Sequence, residues 1–469
     1  MTFDQIAQIV FFTVLGVIAV LGIFAASGAR FALAWLDRIV DVKPVEVRAM
    51  LVAWLYFFCT LASSFTLRPI RDAMAVASGA RNLPYLFTAT LTAMVCFHPV
   101  YSSFVGRFPV KRFVAITYGF FALNLVAFFV AWKSGVSDVW TGRVFYVWHA
   151  VFNVFMTSVF WSVMADTFHT SQAKRLFGFI GVGGTIGAVS GSAVTALFVK
   201  QVGTNNMLFV SIGLLIGAAI LVIAFPSVPR ILDDNSVTAA TDQNKIIGGS
   251  VWSGILSVFR SRYIAGIAVF LMLYTIGSTF LYSAQTTIIG EYFKDRNTQT
   301  LVLARMETVT QLLTAFIQAF ITARAIRVGG LALTISAVPV VSILGFAALG
   351  TTGMGLAPVL WTFIVFNVAR RASDFSLTQP SRKILFTVLH REDKYKASSF
   401  VETSVYRLGD QVGVWSYAGL TSLGLKLAGS SWVGAGLALP FFALGLWLVR
   451  RQKELAAKGD VPPVSVAAA

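Results

Sequence analysis

Apolar stretches of twenty residues or more recur from one end of this 469-residue chain to the other, broken only by short polar segments. A helix of about 20 apolar residues crosses the ~30 Å hydrocarbon layer of a bilayer. Lipid offers the backbone no hydrogen-bond partner, so only helices and closed barrels can span it. A barrel would show segments of about ten residues with alternating polarity, and that pattern does not occur. Hydrophobic residues make up 57% of the chain and charged residues only 12%, too few charges to cover a soluble domain of this size. The expected fold is therefore an all-α polytopic membrane protein.

Hydrophobic runs and their breakers predict spans near 5–36, 46–75, 82–105, 111–132, 141–167, 174–199 and 206–226. The polar stretch FPSVPRILDDNSVTAATDQNKIIGGS (225–250) then interrupts the pattern, and further spans follow near 262–289, 299–322, 328–350, 355–380, 397–424 and 430–450. One helix, then six, then a long polar loop, then six more resembles the major facilitator fold, whose two halves surround a midplane site. The expected organisation is an extra N-terminal transmembrane helix (1–40), a six-helix half (41–226), a cytoplasmic linker (227–260), a second half (261–450) and a disordered cytoplasmic tail (451–469). The first charge is Asp4, so the basic start of a secretory signal is missing and the first segment reads as a retained helix.

The net charge of +17 would suggest nucleic acid in a soluble protein. Here no basic run is interleaved with exposed aromatics, so no nucleic-acid partner is expected. Lys and Arg instead gather in short loops, as the positive-inside rule requires. With the linker on the cytoplasmic side, only Arg81, Lys133, Arg143, Lys200, Lys294, Arg296 and Lys426 of the loop cations fall outside. That topology sets the N-terminus in the periplasm and the C-terminus in the cytoplasm of a bacterial inner membrane. Cys59 and Cys96 both lie in apolar segments and read as packing residues, with no disulfide or metal framework. The expected partners are a small-molecule solute and membrane lipid; a monomer without a cofactor is expected.

Ionisable residues inside a membrane are costly and mark functional positions. The second hydrophobic segment ends FTLRPIRDAMAV, which puts Arg68, Arg71 and Asp72 near membrane depth beside the helix-disturbing Pro69. Arg68 and Asp72 are four apart and could pair on one face. Arg71 is not placed to share that pair and is the better candidate for an anionic solute group, since guanidinium binds phosphate or carboxylate through two bonds. VARRASDFSLTQPSRK carries a second cluster, Arg370, Arg371 and Asp374, in which Arg370 and Asp374 are again i,i+4. SSFVETSVYRLGDQVG adds Glu402, Arg407 and Asp410, where Arg407 or Tyr406 could pair with Asp410.

Glu307 and Asp410 are candidate proton-coupling carboxylates; for Glu307 the plainer reading is a surface group solvated or paired with Arg305. His149 and Asn153 share a helix face and could line a polar stripe, although a lone membrane histidine is more often a structural hydrogen-bonding group. Glycines 181, 183, 184, 187 and 191 do not follow a dinucleotide fingerprint; their four-residue spacing suits close helix packing. The loop YSSFVGRFPVKRF (101–113) resembles the facilitator motif between helices 2 and 3, with Gly106 where an acid is expected and Arg107, Lys111 and Arg112 retained.

Several stretches together resemble the ATP/ADP translocase family of plastids and intracellular bacteria. These are LRPIRDAMAVASGARNLPYLFTAT, FYVWHAVFNVFMTSVFWSVMADTF followed by SQAKRLFGFIGVGGTIGAVSG, and KYKASSFVETSVYRLGDQVG, in the family's order. The similarity covers most of residues 45–450. It implies a nucleotide exchanger in which Arg71 and Asp72 take part in exchange. The family's fourth helix carries a Glu after its aromatic start, whereas this chain reads Trp148-His149-Ala150; the extra first helix also departs from the family.

The sequence thus points to a secondary active transporter working by alternating access, moving an anionic, nucleotide-like or phosphorylated solute. Its candidate solute-binding residues are Arg68, Arg71, Asp72, His149, Asn153, Arg371, Asp374 and Arg407. The alternatives are a proton-coupled carrier of another organic solute, such as a siderophore, peptidoglycan fragment or drug, and a non-transporting sensor derived from a carrier. An enzyme is not expected, since HExxH and nucleophile-elbow motifs do not occur and the loops are short; a lipid scramblase is a further class.

Overall fold

The computed structural model describes residues 42–105, 110–226, 258, 260–352, 356–389, 397–398 and 400–457. The expected helix over 5–36, the interior of the linker, and Gly106 and Arg107 of the facilitator-like loop lie outside these residues. Every regular element among them is helical. In chain order they are α1 (Val47–Ser78), α2 (Leu83–Val105), α3 (Val110–Lys133), α4 (Asp138–Thr167), α5 (Thr170–Val202) and α6 (Met207–Ile223). There follow α7 (Arg262–Tyr292), α8 (Arg296–Ile317), α9 (Ala323–Thr351), α10 (Leu356–Ser373), α11 (Gln379–Leu385), α12 (Tyr406–Ser422) and α13 (Leu427–Ala457). Seven helical stretches among the described residues are long and apolar enough to cross a bilayer, with Arg296–Thr351 counted as one. Gly330 breaks that stretch with φ 63° and ψ −169°, a left-handed turn that glycine adopts without steric cost. The break falls at position 330, two residues inside the predicted span 328–350 rather than in the loop expected between 322 and 328. At the far end α13 runs on through Ala457, so the first seven residues of the expected disordered tail are helical; the remainder, 458–469, lies outside the described residues.

The described residues form two compact units. One comprises those within Met1–Ser236 together with Ile289–Gln311; the other comprises those within Val237–Ile288 and Leu312–Ala469.

In the first unit α1 is central. Its most apolar window is 83% buried, against 28% for Arg112–Lys133, so α1 is wrapped by helices while α3 turns most of its surface outward. The glycines of α5 make the closest of these contacts. A Cβ at Gly183 would stand 2.6 Å from the Trp54 carbonyl oxygen, and at Gly187 and Gly191 nearer still to those of Phe58 and Ala62. Three glycines four apart thus meet three α1 carbonyls four apart, as the packing reading expected. Hydroxyls add short cross-helix bonds where no water competes: Tyr56 to Tyr118 at 2.7 Å, and Ser63 to Ser211 at 2.6 Å. The turn around Pro69 is supported by α5, where Thr195 Oγ1 donates to the Thr66 carbonyl at 3.1 Å.

In the second unit Gly409 and Gly413 of α12 play the same part against α7, where a Cβ on either would run into Thr275 or Thr279. Wide π-turns interrupt three helices, at Gln318–Thr322, Asp374–Thr378 and Val401–Val405. Such turns re-aim side chains and recur at functional positions. The first two are tied together, with Gln318 Nε2 donating to the Phe375 carbonyl at 3.1 Å and Thr322 Oγ1 to that of Ser376 at 2.9 Å.

Candidate functional site

Among the described residues, each unit brings together ionisable groups carried on its long apolar helices. In the first, Arg68 Nη1 lies 3.4 Å from Glu307 Oε1, and Gln311 Nε2, one turn further along α8, donates to the same oxygen at 2.8 Å. Glu307 is 3% exposed, so its charge is compensated inside the unit. Arg71 turns back on its neighbour, with Nε and Nη2 reaching Asp72 Oδ1 at 2.9 and 2.6 Å, while its guanidinium sits 5.5 Å from the Tyr146 ring centre.

This arrangement changes three expectations. Asp72 accepts from adjacent Arg71, which the sequence set outside any local pair. Arg68 reaches a carboxylate that is remote in sequence. Glu307 is a buried acceptor of Arg68 and Gln311, not a solvated surface group. The common reason is that a long guanidinium reaches whichever carboxylate shares its desolvated surroundings, and helical spacing alone does not identify that partner.

His149 and Asn153 do share a face of α4, and both turn to one residue of α1. His149 Nε2 lies 3.3 Å from the Ser64 carbonyl oxygen, and Ser64 Oγ donates to Asn153 Oδ1 at 2.8 Å. A carbonyl only accepts, so the imidazole proton resides on Nε2. Nδ1 is buried with no hydrogen-bond partner.

In the second unit the hub is Tyr274, which the sequence reading did not single out. Its hydroxyl donates to Asp374 Oδ2 at 2.5 Å. Two guanidinium groups lie over its ring, Arg370 at 5.2 Å and Arg382 at 5.6 Å from the centre. The anticipated Arg370–Asp374 ion pair is replaced by neutral acceptors: Arg370 donates to Ser342 Oγ and Ser278 Oγ, each at 2.9 Å, and to the Tyr274 carbonyl at 3.1 Å. Asp374 opens a π-turn, and the widened turn takes it off the regular i,i+4 line on which a helical pair depends. Arg382, which the sequence assigned to a loop, is only 6% exposed. Arg371 stacks 5.9 Å from the Phe375 ring centre. The predicted Arg407–Asp410 pair forms at 3.3 Å, and Glu402 is exposed.

Sequence reading also missed Glu46, fully buried just ahead of α1. It accepts from Arg175 Nη2 at 3.0 Å, Gln172 Nε2 at 2.9 Å and the Lys43 amide at 3.0 Å, tying the start of α1 to the start of α5. Burial opposes its ionisation, but the Arg175, Lys43 and Gln172 bonds outweigh it and hold the carboxyl below the usual glutamate range. A lone acid beside a helix start was the available signal.

Among solved structures, the POT family transporter PepTSo matches at TM-score 0.58 with 13% identity, covering 87% of this chain and 98% of the other. The xylose transporter XylE from E. coli matches at TM-score 0.53 with 14% identity, covering 84% and 94%. These likenesses show that the helical bundle has the fold of those membrane transporters. The family model described as TLC ATP/ADP transporter matches residues 127–449. The chain belongs to that family. Similar relatives are ADP,ATP carrier protein 1 of Chlamydia trachomatis, 22% identical, and its counterpart in Chlamydia muridarum, 23% identical, each covering 86% of both chains.

Proposed function

We propose that this protein exchanges an anionic, nucleotide-like solute across a bacterial inner membrane by alternating access. The observation that carries this reading is the Arg68–Glu307–Gln311 and Arg71–Asp72 constellation. Two guanidinium groups at membrane depth, each held by a carboxylate, form a site that is neutral at rest. A phosphate group competes with those carboxylates for the same donors, because guanidinium binds phosphate bidentately. When the solute leaves, the carboxylates take the cations back, so neither charge is stranded in a medium where stranding is expensive. A carrier whose empty site must re-form such pairs is suited to obligate exchange. The names of the chlamydial carriers, which specify ADP and ATP, support nucleotide as the solute class.

In this reading Arg68, Arg71 and Asp72 of α1 contact the phosphates, with His149 and Asn153 of α4 lining the same unit. Arg371, Asp374 and Arg407 serve in the second unit. The distribution of Lys and Arg supports a periplasmic N-terminus and a cytoplasmic C-terminus, and the protein works as a monomer. Thermal unfolding of the purified protein with ATP, ADP, AMP or inorganic phosphate tests this directly, since a ligand stabilises in proportion to its occupancy. Stabilisation by ATP and ADP that is lost in Arg71→Ala supports the reading; indifference of the wild type to all four contradicts it.

The burial of Glu307 and Asp410 favours a second reading, in which these carboxylates carry protons and the solute moves with a proton gradient. Transport that collapses with a protonophore separates the two.

A further inference from the structure

A long cavity of about 1010 Å³ runs between α2, α3 and α4, away from the α4 face that meets Ser64. Asn82 and Phe97 both line it. Fifteen residues at 1.5 Å each place them about 22 Å apart along α2, more than half the ~30 Å hydrocarbon layer. Its walls are apolar and aromatic, including Phe113 and Phe120, and Arg143 is its single charged lining residue. Arg143 stands near the start of α4, and Asn82 just ahead of α2, so both belong to the same end of the bundle.

The guanidinium of Arg143 lies 4.7 Å from the Trp140 ring centre. Its Nε is buried without a hydrogen-bond partner, and Arg143 has no carboxylate partner among the described residues. A tryptophan beside an arginine at a helix end is the usual arrangement at a membrane interface. A buried guanidinium N–H without an acceptor is costly, and a phosphate oxygen supplies that acceptor with charge complementarity.

We propose that this groove binds an anionic phospholipid, with its phosphate on Arg143 beside Trp140 and one acyl chain along α2 towards Phe97. The site is independent of the proposed solute site, which lies on the other face of α4.

The test compares wild type, Arg143→Ala and Ala89→Trp, the last placing a bulky ring in the middle of the tail channel. Each is purified in mild detergent and reconstituted in nanodiscs of phosphatidylglycerol or phosphatidylcholine. Native mass spectrometry counts retained lipid and thermal unfolding reads stabilisation. The wild type should retain phosphatidylglycerol in preference to phosphatidylcholine. Arg143→Ala should lose that preference by about tenfold, the loss of one charge-assisted contact. Ala89→Trp should retain less of either lipid. Equal retention of both lipids by the wild type, unchanged retention in both variants, or stabilisation by inorganic phosphate equal to that by phosphatidylglycerol would overturn the proposal. Should Arg143→Ala fail to fold, Ala89→Trp and the phosphate comparison still decide.

Discussion

Arg68 Nη1 and Glu307 Oε1 stand 3.4 Å apart, and the carboxylate end of that pair is 3% exposed. Removing Arg68 from a buried carboxylate costs about 3 kcal/mol; removing Glu307 costs less, because the arginine left behind is 26% exposed. Glu307→Gln and Arg68→Ala should each lower the unfolding temperature in detergent, whereas Arg68→Glu combined with Glu307→Arg should recover part of the loss. Equal destabilisation by the double exchange and by either single variant would separate the two residues energetically.

Tyr274→Phe keeps the ring beneath Arg370 and Arg382 and removes only the hydroxyl that serves Asp374. Leaving a buried carboxylate oxygen without that donor costs about 1–3 kcal/mol. Asp374→Asn, which removes the charge as well as weakening the bond, should cost less than Tyr274→Phe. Denaturation of the two variants under one set of conditions checks the order.

The glycine face of α5 makes a prediction with an internal control. Gly187→Ala sets a Cβ against the Phe58 carbonyl, whereas nothing lies within 4 Å of a Cβ at Gly181. Gly187→Ala should destabilise by about 1–3 kcal/mol through overpacking. Gly181→Ala should be neutral or stabilise by up to about 1 kcal/mol through helix propensity. Comparable melting of the two variants would mean that α1 and α5 do not meet at these carbonyls.

Glu46 gives a pH dependence. Its carboxyl titrates lower in the folded protein than in the unfolded chain, so the unfolded state binds the proton first. Its contribution is therefore complete above the ordinary glutamate value and is lost as pH falls through the folded value. The melting advantage of wild type over Glu46→Gln should stay constant from neutral pH down to about 5 and shrink below it. An advantage that grows on acidification would reverse the sign.

Helix positions were largely legible because each span announces itself by length and polarity. The predicted 141–167 and 111–132 fall inside α4 (Asp138–Thr167) and α3 (Val110–Lys133). The glycine ladder was legible for a similar reason, as spacing four on one helix needs only a partner of the same pitch. Side-chain partners were not. Local spacing suggested Arg370 with Asp374, yet Asp374 accepts from Tyr274, and spacing gave no sign of the Arg68–Glu307 pair. Both of these partners lie on other helices, and their choice depends on which groups are desolvated together. Arg407–Asp410 succeeded because both residues sit on one regular turn of α12.

Counterflow is the most direct test of exchange. Proteoliposomes loaded with ADP are given labelled ATP outside, with and without a protonophore, for wild type and for Arg71→Ala. The exchange reading predicts ATP uptake that requires internal ADP, ignores the protonophore and falls by an order of magnitude or more in the variant, about 1.4 kcal/mol of lost phosphate contact at the least. Uptake that proceeds from empty liposomes and collapses with the protonophore would contradict it.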